Sequence, residues 1–254
     1  PAFGIYGRDV QDAGDPAIFA GQVGADINLL WNWVFQPSLA YYDFTAIKGS
    51  STGNVTGGAL GNTTTTGTKY AYDYNVTSLQ GKLSTAELPL IHQPLAFLAD
   101  FTRNENDKSS NTVLVSPDDQ VVYTYGMELG KVTEKFGSWK AFLFRRWIES
   151  DATLVALTDS DFGGGGTNHK GYILGAQMGL NKWASVGVKY IRTDEIDGTQ
   201  NRFDTFQADH RVRESGKLGE RTAVVEGLAG GRGPRFIVAS LGALAHFADT
   251  LVVP

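Results

Sequence analysis

The sequence predicts an all-β protein, an antiparallel up-and-down transmembrane β-barrel present as an incomplete part of a larger barrel. Three observations predict it. Apolar and polar side chains alternate with a period of two in several segments. Most of these segments reach or exceed the roughly 9–11 residues that a tilted strand needs to cross a bilayer, against about 5–6 for an ordinary strand. The connections alternate between tight turns and long polar loops, as in outer-membrane barrels.

Successive side chains on a strand point to opposite faces. In the first segment Phe19, Gly21, Val23, Ala25 and Ile27 alternate with Ala20, Gln22, Gly24, Asp26 and Asn28. The pattern returns at Leu95, Phe97, Ala99 and Phe101, and at Val121, Tyr123, Tyr125, Met127 and Leu129. It returns again at Tyr172, Leu174, Ala176, Met178 and Leu180, and at Val186, Val188 and Tyr190. Nine strands follow, at about 17–28, 31–47, 69–84, 88–104, 120–131, 138–148, 170–181, 184–194 and 202–213. Turns after the first, third, fifth and seventh are tight, whereas 49–68, 104–119 and 149–169 are long and polar.

Aromatic residues mark both rims. Trp31, Trp33, Trp139 and Trp183 fall beside the tight turns, and Tyr70, Tyr72, Tyr123 and Tyr172 begin strands on the long-loop side. Paired aromatic girdles are a habit of membrane barrels. The second strand departs from the pattern. Pro37 interrupts it, and the apolar parity shifts from Trp31, Trp33 and Phe35 to Ala40, Tyr42, Phe44 and Ala46, which predicts a β-bulge. In the sixth strand both parities carry an arginine, Arg145 and Arg146, so one of them must lie near an interface.

Composition agrees with a turn-rich β protein, with 31 glycines against 8 prolines. A net charge of -5 argues against a nucleic-acid partner, and the absence of cysteine excludes disulfides, thiolate metal sites and cysteine nucleophiles. An odd strand count predicts that strands are missing at the N-terminus, or that residues 2–8 supply a tenth. Residues 1–209 read as barrel strands and loops. Residues 210–254 read as an atypical tail, charged and glycine-rich from 213 to 235 with no period of two, as a sequence whose reading frame was lost near residue 210 would be.

Motifs for chemistry are weak. Gly163 to Gly166 with Lys170 invite a phosphate-loop reading, but Gly171 stands where serine or threonine is required. Asp159 and Asp161 lack the further oxygen ligands of a calcium loop and read as loop carboxylates. His92, His169, His210 and His246 have no metal-ligand spacing. The expectation is a non-enzyme without cofactor, metal or catalytic residue. The remaining candidates lie on the wet face: Gln22, Asp26, Asp73, Asp100, Glu128, Lys140, Arg146, Gln177 and Lys189, with Asn75 and Asp209 beside them. Polar groups of both signs on one face suit a water-filled lumen.

The stretch from Trp139 to Gly198 includes, at 147–198, the text WIESDATLVALTDSDFGGGGTNHKGYILGAQMGLNKWASVGVKYIRTDEIDG, and RFDTFQAD follows at 202–209. This stretch resembles the putative porin family of Gram-negative outer-membrane barrels, with DSDFGGGGTNHKG its most specific part. The resemblance implies passive diffusion of small hydrophilic solutes through a barrel in the bacterial outer membrane, in contact with the lipid bilayer and associating as a trimer. Members of the family are longer and end on a strand with a terminal aromatic, which this chain lacks. A second reading is an outer-membrane barrel that serves adhesion or scaffolding through its long loops.

Overall fold

The computed structural model describes residues 2–4, 17–54, 58–65, 68–106, 120–198, 201–212, 221–229 and 235–239, with side chains described between 17 and 209. The strands are β1 (Ala2–Gly4), β2 (Ala17–Gly24), β3 (Ile27–Asn28), β4 (Trp33–Thr45), β5 (Thr64–Thr65), β6 (Lys69–Tyr70), β7 (Tyr74–Thr85) and β8 (Leu95–Asn104). They continue as β9 (Val121–Gly130), β10 (Trp139–Ile148), β11 (His169–Gly179), β12 (Ala184–Glu195), β13 (Arg202–Val212), β14 (Arg221–Ala229) and β15 (Arg235–Ala239). Among the described residues there is no α-helix, only single 3-10 turns at Leu30–Asn32, Thr52–Asn54 and Val155–Leu157.

All but one small hairpin belong to a single antiparallel sheet. Its strands lie side by side in chain order, β1-β2-β4-β7-β8-β9-β10-β11-β12-β13-β14-β15, with β3 prolonging β2 along β4. The hairpin β5–β6 sits inside the long connection between β4 and β7. The sheet is up-and-down, as the sequence predicts, but it is not closed. A barrel needs its two edges paired with a fixed stagger, and among the described residues β1 pairs only with β2 and β15 only with β14. The ladder also runs past residue 209, through β14 and β15, where no period of two announces strands. β1 is the short N-terminal partner strand expected within residues 2–8, of which 5–8 lie outside the described residues, as do 213–220, 230–234 and 240–254 of the tail.

No bulge occurs at Pro37. β4 pairs with β7 in one unbroken register from Trp33↔Thr85 through Pro37↔Gly81 to Phe44↔Tyr74. The proline acts on the other side of its strand, where its missing N–H coincides with the break between β2 and β3 and its carbonyl accepts from Ala25 N at 3.1 Å. The shift of apolar parity has a different cause. Leu39 and Tyr41 stand on the exposed face, while Ala40 and Phe44 are 2% and 1% exposed on the opposite face, beneath folded loops.

The exposed face is the greasy one. Phe35, Leu83, Phe97, Met127, Leu143, Leu174, Tyr190 and Phe206 form one row of directly paired residues across eight strands. Leu174 is 53% exposed and Phe206 50%, and among the described residues no second sheet packs on them. The opposite face is concave. Leu154 packs with Ile18 of β2 and Phe44 of β4, and Phe162 packs with Ile148, Ile173 and Ile191 of β10, β11 and β12. Twisted sheets of more than about ten strands curl, and this one curls toward the face on which a single loop touches strands from β2 to β12.

Trp33, Trp139 and Trp183 lie at the tight-turn rim and Tyr123 and Tyr172 near the other, as the girdles require. Tyr70 and Tyr72 do not head a membrane-length strand. They belong to the loop ahead of β7 and are buried, at 1% and 3% exposure.

Candidate functional site

The concave face holds two kinds of site, a clasp of long loops and a strip of charged side chains. The clasp joins residues 46–73 to residues 149–168. Asn62 is its centre: its Nδ2 donates to the carbonyls of Ser150 and Thr153 at 2.7 and 2.9 Å, and its Oδ1 accepts from Val155 N at 2.9 Å. Thr167 Oγ1 donates to Ser150 O at 2.7 Å, and Thr167 N to Leu60 O at 3.0 Å. The fully buried Asp151 carboxylate accepts from Thr63 N, Thr63 Oγ1 and the Tyr74 hydroxyl at 2.9, 2.6 and 3.1 Å. Asn104 Nδ2 donates to the carbonyls of Asp151 and Asp73, tying β8 to the same knot.

These are the partners that a buried polar group needs, since a donor or acceptor left unpaired away from water costs about 1–3 kcal/mol. Burial pushes the Tyr70 phenol up to about 12, so it keeps its proton and donates to the Gly58 carbonyl. Burial likewise holds the Asp73 carboxyl above its ordinary value, against the opposing pull of a hydrogen bond from the Tyr74 backbone.

The glycine run serves this clasp. Gly163, Gly164, Gly165 and Gly166 all have positive φ, from 70° to 95°. Four such residues in succession are open to glycine and strained for any other type. Space is also short, since a Cβ on Gly163 would lie 2.5 Å from the His169 ring and one on Gly166 2.3 Å from the Leu60 carbonyl. Just before the run, Phe162 is fully buried over Ile148, Ile173 and Ile191, flanked by Phe142 and Phe144. The run is thus a tightly wound loop tip and makes no phosphate cradle.

The charged strip lies beside that tip. Arg146 Nη1 meets Asp159 Oδ2 at 3.1 Å, and Lys189 Nζ meets Asp161 Oδ2 at 3.0 Å. Asp159 Oδ1 also accepts from Asp161 N, which holds the two carboxylates in one turn. Two strand cations therefore pin the loop to the inner face. Further along, Lys140 pairs with Glu128 at 2.8 Å, and Gln177 stands opposite Lys140 in the ladder. Asp100 accepts from Thr102, Ser78 and Gln80 at 2.8, 3.3 and 3.4 Å, in the same cross-strand row as Thr124 and Arg146.

The structure brings together four residues that the sequence keeps in separate lists, Arg146 and Lys189 from strands and Asp159 and Asp161 from a loop. Gln22 lies on the inner parity of β2, opposite Ala40. Asp26 sits in the break between β2 and β3 and accepts from Gln36 Nε2 at 2.8 Å. Asp73 is on the connection ahead of β7, off the strand that the alternation assigned to it. Asn75 takes the outer parity, opposite Asp43, and its side chain donates to the Tyr41 hydroxyl and to Asp43. Sequence reasoning missed Asn62, Asn104, Asp151 and Thr167, whose partners are as far as 107 residues away. The signals that could have pointed there are Phe162, a large apolar residue in a polar loop, and Phe142 and Phe144, apolar on the wet parity.

Fold and site together define an all-β protein in one curled antiparallel sheet, apolar and uncovered on its convex side, charged and loop-filled on its concave side. A family model described as putative porin matches residues 96–213, and through this segment the chain is similar to that family. The match begins in β8 and ends just beyond β13, so it takes in Asp100, Glu128, Lys140, Arg146, the inward loop and Lys189. No curated protein and no solved structure matches the chain.

Proposed function

We propose that the chain works without catalysis, as part of an outer-membrane porin through which small hydrophilic solutes diffuse passively. The observation that carries this reading is the uncovered apolar row from Phe35 to Phe206. Across eight strands at about 4.8 Å spacing it is some 34 Å wide, well beyond the apolar patches that soluble monomers leave in water. Hydrocarbon is the medium that such a face suits, with membrane strands keeping apolar side chains outside and polar ones within.

In this reading the open edges at β1 and β15 are paired with further barrel strands, because unpaired backbone groups are not tolerated in lipid. The inward loop narrows the water-filled passage. Its carboxylates, Asp159 and Asp161, face strand cations, and a field between groups of opposite sign orients a dipolar solute as it passes.

The test is planar-bilayer conductance of the protein refolded into detergent. Stepwise insertion of ohmic, water-filled channels is expected. A protein that binds vesicles but never conducts would remove the transport reading, and one that stays monomeric in buffer without detergent would remove the membrane altogether.

A further inference from the structure

Among the described side chains, the charges of the convex face lie near the long-loop rim: Asp43 and the Arg103–Glu105 pair toward β4 and β8, and a cluster of cations on β10 to β13. Above the row Met127–Leu143–Leu174–Tyr190–Phe206, the next paired row reads Tyr125–Arg145–Tyr172–Arg192–Asp204, and the one beyond it Tyr123–Trp147–Lys170–Asp194–Arg202. In these two rows four cations face two carboxylates, and just beyond them the Glu149 carboxylate accepts from the Trp147 indole N–H at 3.2 Å and from Val121 N at 2.9 Å. Arg202 is engaged by Asp194 at 2.8 Å, and Asp204 accepts from the Tyr190 hydroxyl at 2.6 Å. Among the described residues, Arg145, Lys170 and Arg192 have no carboxylate within salt-bridge distance. Aromatic rings hold two of them instead: the Arg145 guanidinium lies 4.3 Å from the Tyr172 ring centre, and Lys170 Nζ 4.9 Å from that of Trp147. The Trp147 ring is itself stacked on Tyr123 at 5.7 Å.

An aromatic face steadies a cation without neutralising it. At mid-bilayer a lipid-facing arginine costs about 2–4 kcal/mol, a penalty that fades toward the interface, so these groups belong at headgroup depth. We infer that Arg145, Lys170 and Arg192 form a binding site for the phosphates of an anionic lipid headgroup in the leaflet on the long-loop side. In an outer membrane that lipid is lipopolysaccharide. Guanidinium and ammonium groups supply charge-assisted hydrogen bonds to phosphate oxygens, the rings beneath them meet the glycolipid's sugar and upper acyl region, and the apolar rows below meet its chains. The inference rests on the membrane reading of the convex face and is independent of whether the inner face conducts.

The experiment titrates the detergent-solubilised full chain with diphosphoryl lipid A, with phosphatidylcholine as the zwitterionic comparison. Binding of lipid A at least tenfold tighter than phosphatidylcholine is expected, and at least tenfold weaker binding in the triple variant R145Q/K170Q/R192Q. Lys170→Arg keeps the cation and should keep the affinity. Equal affinity for both lipids, an unaffected triple variant, or full displacement by equimolar inorganic phosphate would each overturn the site. Should the triple variant fail to fold, the wild-type protein suffices: raising NaCl from 0.05 to 0.5 M should weaken lipid A binding severalfold, and no salt effect overturns the proposal. Conductance measured on the same preparation separates the two readings. Lipid A binding without channels keeps the site and removes the pore, and channels without phosphate discrimination do the reverse.

Discussion

The convex and concave faces of this sheet dispose of apolar side chains in opposite ways. On the convex face Phe97, Leu143 and Leu174 stand in an uncovered row of cross-strand pairs. On the concave face Phe44, Ile173 and Ile191 are 1%, 7% and 1% exposed, because the loop at 149–168 folds over them. The first face is left to the medium around the sheet, and the second has made a small core of its own. The lesson is that a wet face in a strand pattern stays wet only where no loop returns to it.

That difference can be broken at the loop. Phe162→Ala empties the fully buried centre of the second cluster, and a phenylalanine deleted from a core costs about 3–5 kcal/mol. The expected result is release of residues 149–168 with the sheet retained. Protease cleavage in that segment should appear while strand circular dichroism and gel mobility of the folded form persist. If the whole sheet unfolds with the loop, the concave core is holding the curl of the sheet as well.

The convex face is tested by Leu174→Arg. In contact with hydrocarbon the substitution should cost about 2–4 kcal/mol, read as a shift of the urea midpoint of the protein folded in vesicles. At a 53% exposed position bathed by water the same change would fall within about 0.5 kcal/mol. The two media thus predict separable numbers for one variant. Asn62→Ala sharpens the other side. It strands the Val155 N–H and removes the donor to two loop carbonyls, for an expected loss of about 2 kcal/mol confined to the clasp.

The same contrast explains what could be read from the chain. β9, β10, β12 and β13 announce themselves through their open outer face, and each begins and ends within a residue of the predicted segments 120–131, 138–148, 184–194 and 202–213. β4 misleads because Phe44, on the inner parity, packs with Leu154 of a loop that starts more than a hundred residues later. Of the site, the strand charges were legible and so were the two loop carboxylates. Their pairing was not, since Arg146 with Asp159 and Lys189 with Asp161 depend on how the loop turns inward, which four glycines and one buried phenylalanine decide.

The smallest change in stability carries the sharpest functional readout. Asp159→Asn with Asp161→Asn removes two carboxylates whose ion pairs are 24% to 37% exposed, so each pair should contribute about 0.5 kcal/mol or less to folding. Arg146 and Lys189 then remain on the inner face without their partners, and local charge becomes more positive by two. In a conducting channel that excess raises anion concentration at the narrowing, so the reversal potential in a salt gradient should move toward the anion equilibrium value. Raising ionic strength should erase the shift, because at 1 M salt the field of an exposed charge decays within about 3 Å. A double variant with wild-type stability and wild-type selectivity would place Arg146 and Lys189 away from the conducting path, leaving their ion pairs as fastenings of the loop alone.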